Sequence, residues 1–139
     1  MDGVISTVGG MYLLVSEAHD LEAPVPDMPA DVGLAAAPEI CYVAGAQIDD
    51  GERVTLSVAV FDHEPDTRPW DDFWKWKASA TMQTSAPVWV ASLAHDHIER
   101  ITDTGGTYNV VLYARPYEYV KQNPDEPAEV HFLVLWPRD

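Results

Sequence analysis

Apolar and polar positions alternate with a period of two through most of the chain. Val54, Leu56, Val58 and Val60 alternate with Thr55, Ser57, Ala59 and Phe61. This is the pattern of a strand whose second face is also fairly apolar. Residues 40–48 read as the strand before it. Between them, Asp49-Asp50-Gly51-Glu52 is a turn, with a glycine free to take a positive φ, so the pair predicts a hairpin. Further strands are expected over Met11–Ser16 and residues 75–83, 88–93, 107–115 and 129–137. The strand at 107 follows the turn Asp103-Thr104-Gly105-Gly106, and the last is closed by Pro137.

Three stretches break the alternation. Residues 22–38 contain Pro24, Pro26, Pro29 and Pro38 and predict a long connection, with at most one helical turn over 31–37. Residues 62–74 form an acidic, aromatic connection, and residues 122–127 a polar loop. No segment carries a 3.6-residue apolar stripe over three turns, and no internal repeat is present. Seven to eight short strands, each with a face to bury, predict an all-β fold. The expected form is a two-sheet antiparallel β-sandwich, with a small β-barrel as the alternative. At 139 residues the chain is one domain, with an N-terminal strand and the proline-rich connection at 22–38.

Charge narrows the choice of partners. The chain carries 23 acids against eight Lys and Arg, a net charge of −15. Residues 1–52 hold ten acids and no base; residues 53–139 hold 13 acids and all eight bases. Such a surface disfavours nucleic acid and anionic lipid as partners. The lone Cys41 fits a reducing compartment. No apolar run is long enough to span a bilayer, and the start of the chain lacks the basic, apolar character of a secretory signal, so a cytoplasmic location is expected.

Candidate chemistry is sparse. On a strand, His95 and His97 would point the same way and could share a metal ion, with His19, His63 or His131 as third ligand. The competing reading is a polar strand end beside Glu99 and Arg100. Cys41 lies in an apolar run, where a thiol behaves as a small hydrophobe. There is no nucleophile elbow, P-loop or dinucleotide fingerprint, so no enzyme activity, metal or cofactor is assigned. The dense acidic patches are Asp62-His63-Glu64-Pro65-Asp66, Asp71-Asp72 and Asp49-Asp50-Gly51-Glu52. They lack the spacing of a calcium loop.

Only the 62–72 patch is interleaved with aromatics: Trp70, Phe73, Trp74 and Trp76. Aromatics ringed by acids make an interface for a basic protein. Trp74 and Trp76 are expected to point inward, and Trp70 and Phe73 outward. The candidate partner-binding residues are therefore Asp62, Glu64, Asp66, Trp70, Asp71, Asp72 and Phe73, with Asp49, Asp50 and Glu52 on a turn at the other end of the same strand. A basic nuclease or toxin, whose cleft accepts phosphates, is the partner such a surface suits. The alternative is a module for a small molecule or carbohydrate that uses Trp70, Trp74, Trp76 and Trp89 as a platform. An unpaired edge strand leaves room for a homodimer.

The second half also resembles a bacterial family. The matching features are residues 42–48 (YVAGAQI), the strand over 54–61, residues 98–101, Gly106-Thr107-Tyr108-Asn109-Val110, Arg115-Pro116, and a last strand ending Leu135-Trp136-Pro137. In order and spacing over residues 40–137 they resemble the competence protein J (ComJ)-like group, whose founding member inhibits a DNA-entry nuclease. The resemblance implies a compact β protein with an acidic surface that blocks a nuclease. It carries no fixed inhibitory motif, and the stretches 22–38 and 70–76 depart from it.

Overall fold

A computed structural model describes residues 1–27, 33–45, 52–116 and 127–138. The described residues form ten strands and one short helix: β1 (Asp2–Ser6), β2 (Met11–Ser16), β3 (Gly33–Ala37), β4 (Ile40–Ala44), β5 (Arg53–Val60), α1 (Arg68–Asp71), β6 (Trp76–Thr84), β7 (Val88–Ser92), β8 (His97–Arg100), β9 (Gly106–Pro116) and β10 (Pro127–Pro137). They make two five-stranded sheets, in the order β1-β5-β10-β9-β6 and β3-β4-β2-β7-β8. The sandwich expected from the alternation is present, and it is not closed into a barrel. One pair departs from the antiparallel rule: β10 runs parallel to β5.

The alternation explains the core. Val54, Leu56 and Val58 of β5, Val110 and Leu112 of β9, and Leu133 and Leu135 of β10 point inward from the first sheet. Tyr12 and Leu14 of β2, Cys41 and Val43 of β4, and Val88 and Val90 of β7 meet them from the second. Burying each such side chain contributes about 1.5–3 kcal/mol. β9 and β10 are apolar on their other faces as well: Val111, Tyr113, Val134 and Trp136 are buried on the outside of the first sheet. The outside of the second sheet carries a smaller cluster around Leu13, Val15, Ile40 and Tyr42.

The expected hairpin between residues 40–48 and 54–61 does not form. β4 pairs with β2 and β3, whereas β5 pairs with β1 and β10 in the other sheet. Both strands have apolar inner faces, and these meet across the core instead of lying side by side. The acidic turn at Asp49, Asp50 and Gly51, and the strand end at 46–48, lie outside the described residues. The helical turn expected over 31–37 is also overturned, since Gly33–Ala37 is β3, with residues 31 and 32 outside the described set. Pairing with β4 outweighs the helix preference of Ala35, Ala36 and Ala37. Pro38 and Glu39 turn the chain between them, with Glu39 held at φ 71°. The Glu39 carboxylate accepts hydrogen bonds from Ser16 Oγ at 2.6 Å and from the Ser85 backbone N–H at 3.1 Å, which tether that strained turn to both sheets. The loop expected at 122–127 lies outside the described residues except for Pro127, which opens β10.

One polar chain crosses the core. Tyr12 Oη lies 2.7 Å from His131 Nδ1, and His131 Nε2 lies 2.8 Å from Glu129 Oε1, with all three side chains buried. Burial, reinforced by the Glu129 carboxylate, pushes the Tyr12 hydroxyl well above its ordinary value. It therefore stays protonated, and phenol, imidazole and carboxylate form one continuous hydrogen-bonded chain. Tyr12→Phe keeps the shape and leaves the buried His131 Nδ1 without its Tyr12 partner. It is expected to cost about 1–3 kcal/mol in urea unfolding. Burial also pushes the Cys41 thiol up to about 12. Iodoacetamide at pH 8 is therefore expected to leave the folded protein unlabelled and to modify Cys41 only after unfolding.

Candidate functional site

The register of the first sheet sets the site. Across β10, β9 and β6, Phe132 pairs with Tyr113 and Tyr113 with Lys77. Two residues along, Val134 pairs with Val111 and Val111 with Ser79. The next row is Trp136, Asn109 and Thr81. These three rows share the outer face, because residues two apart on a strand point the same way. The chain between β5 and β6 lies over the first row.

That connection is built from its acids. Asp66 accepts from Arg68 Nε and Nη2, both at 2.9 Å, and from the Arg68 backbone N–H at 3.1 Å, which sets up the turn into α1. Pro69 sits in the first turn of α1, where its missing N–H costs nothing. Asp71 then fastens the helix to the sheet. Its Oδ1 accepts from Lys77 Nζ at 2.7 Å and from the Tyr113 hydroxyl at 2.8 Å, and its Oδ2 from Thr67 Oγ1 at 3.1 Å. These donors, Lys77 foremost, hold the Asp71 carboxyl below its ordinary value, as Arg68 does for Asp66.

The tryptophans follow the helix inward. Trp70 meets Phe132 edge-on at 5.1 Å and Tyr113 at 6.1 Å, and Trp74 stacks against Phe132 at 6.0 Å. Trp74, expected to point into the core, is instead half-buried on the outer face of the first sheet. Trp70, expected to point outward, is half-buried in the same cluster, since the outer faces of β9 and β10 need apolar cover. Phe73 is 62% exposed, edge-on to Trp74, with the Arg115 guanidinium 5.0 Å above its ring. Trp76 lies on the opposite face of β6, in the alternation that buries Met82, and Trp89 stacks on His97 in the other sheet. Trp70 and Trp74 share one cluster, but Trp76 and Trp89 lie elsewhere, so the four tryptophans of the carbohydrate reading do not form one platform.

The seven candidate residues therefore divide. Asp66, Trp70 and Asp71 hold the connection in place. Asp62, Glu64, Asp72 and Phe73 are presented to solvent; Asp62 contacts His63, and Glu64 and Asp72 make no ion pair among the described residues. Sequence reasoning missed Thr67, Lys77 and Tyr113, the partners of Asp71. Only the proximity of Lys77 hinted at them. It also missed Asn109 and Trp136, which the pairing register alone brings beneath Glu64.

The histidines do not converge as a strand would have aligned them. His95 sits in the turn before β8 at φ 66° and stacks on His19, with ring centroids 5.3 Å apart, while His97 stacks on Trp89 at 5.0 Å. Burial and the neighbouring His19 and His97 lower the His95 pKa. Among the described residues no group of three or more His, Cys, Asp or Glu is placed to hold a metal ion, and no helix is long and apolar enough to cross a membrane.

A carboxyl with a lowered folded-state pKa stabilises the fold above its ordinary value of 3.8 and loses that contribution as pH falls below it. The near-ultraviolet circular dichroism of the Trp70–Trp74 cluster is expected to weaken as pH drops below about 4. In Asp71→Asn that acid transition should shrink, with a weaker starting signal at neutral pH.

No protein-family model matches the chain, and no curated protein matches it. Among solved structures it is similar to ComJ of Bacillus subtilis, an inhibitor of the DNA-degrading activity of NucA. The TM-score is 0.65 at 13% identity, over 99% of this chain and 96% of that one. The likeness spans the whole sandwich, so this chain has the fold of ComJ.

Proposed function

We propose that this protein is an acidic, non-enzymatic inhibitor or immunity protein that occludes a basic, DNA-degrading nuclease or nuclease-like toxin in the cytoplasm. The observation that carries the reading is the end-to-end likeness to an inhibitor of a DNA-degrading protein. The net charge of −15 supports it. So does the division of labour in the 62–73 connection. Asp66 and Asp71 use their charge internally, leaving Asp62, Glu64 and Asp72 to meet basic groups that would otherwise grip phosphates. Phe73 supplies apolar anchorage at the centre of the contact, and Trp70 and Trp74 give it a rigid base.

The test is inhibition of DNA cleavage. The purified protein is titrated into NucA, and into any DNA-degrading protein it captures from its own host. Cleavage is expected to fall to zero near one equivalent. Inhibition should weaken as salt rises from about 0.05 to 0.5 M, over which range screening shortens the reach of exposed charges. Phe73→Ala and Asp72→Asn together are expected to raise the inhibition constant about tenfold or more. Unchanged cleavage by all of these nucleases at a large excess of the folded protein would overturn the proposal.

A further inference from the structure

The connection that covers the aromatic row borders a shallow depression over the two rows beside it. There the outer face of β6, β9 and β10 forms a trough of about 410 Å³ lined by Glu64, Ser79, Thr81, Asn109, Val111 and Trp136. Its floor is apolar: Val111 and Trp136 are nearly fully buried. Asn109 lies between Trp136 and Thr81 in the sheet register, and Glu64 borders the trough from the loop. Ser79 and Thr81 are exposed on β6, a strand at the edge of the sheet. Arg138 lies in a smaller adjoining depression that shares Glu64, Asn109 and Trp136, and it makes no ion pair with Glu64.

We infer that this trough receives an arginine side chain of the protein partner, an inference that rests on the partner-binding reading of the 62–73 face. The shape suits an occupant apolar along its stem and cationic at its tip. Methylene groups would lie on Val111 and Trp136. A planar guanidinium would then reach two acceptors, the Glu64 carboxylate and the Asn109 side-chain carbonyl, which a fork of donors satisfies better than a single ammonium.

The experiment needs no nuclease. The full-length ¹⁵N-labelled protein is titrated with N-acetyl-L-arginine amide and, separately, with its neutral isostere N-acetyl-L-citrulline amide. The Trp136 indole N–H and the Asn109 side-chain amide are followed by NMR. The arginine compound is expected to shift both signals saturably, with a Kd on the order of millimolar. The citrulline compound should leave them in place. Glu64→Gln should weaken binding about threefold. Glu99→Gln, on β8 of the other sheet, removes the same charge and should leave it unchanged. The proposal is overturned if the arginine compound produces no saturable shift at Trp136 and Asn109. Equal shifts with citrulline, or equal weakening by the two substitutions, would also overturn it. Nuclease inhibition without arginine binding would remove the trough alone. Arginine binding without inhibition of any nuclease would remove the inhibitor reading alone.

Discussion

The arrangement depends on one constraint, that β9 and β10 are apolar on both faces. A sandwich covers only the inner face of each sheet. Here the outer faces carry Val111, Tyr113, Val134 and Trp136, all buried, with Phe132 half-buried beside them. Something must lie over them, and the connection between β5 and β6 does so with Trp70 and Trp74. The acidic side chains of that connection are displayed because its aromatic side chains are needed underneath.

The acids show how one composition serves two ends. Asp71 gathers three donors from the helix, β6 and β9, and Asp66 takes both forks of Arg68. Each satisfied carboxylate is spent on holding the loop, so the outward charge comes from the others. Inside the sandwich the same economy holds for Tyr12, His131 and Glu129. A buried polar chain destabilises unless its donors and acceptors match, and matched it admits one alignment of the two sheets. Sliding β2 by one residue along its partners would turn Tyr12 away from His131 and put Leu13 in its place.

Strand identity was legible from alternation wherever one face was clearly polar or bounded by turns, as in Met11–Ser16 and around residues 54–60. It was not legible in β3, whose alanines carry no period, nor in β8, where His97, Ile98, Glu99 and Arg100 are all exposed. Alternation is also silent about neighbours. The turn signal at 49–52 carries no information about partners, and the pairing of β5 with β1 and β10 is decided by contacts far apart in sequence. The site was legible to the same degree. The mixture of acids and aromatics over 62–74 located it, but which acids point outward depends on Thr67, Lys77 and Tyr113. The floor beneath Glu64 depends on a register spanning residues 79, 109, 111 and 136. No local pattern in the chain carries that register.

The placement of β10 bears on how the molecule comes to be assembled. It is the last strand in sequence, yet it lies between β5 and β9 in the middle of its sheet. Until residues 127–137 are available, β1 and β5 cannot join β9 and β6, and His131 cannot meet Tyr12. Closing that gap draws together segments some seventy residues apart, at the entropic cost of closing a long loop. It also supplies Phe132 and Trp136 beneath the acidic connection. The surface at 62–73 is therefore completed in the same step as the core, and an incompletely folded chain does not present it.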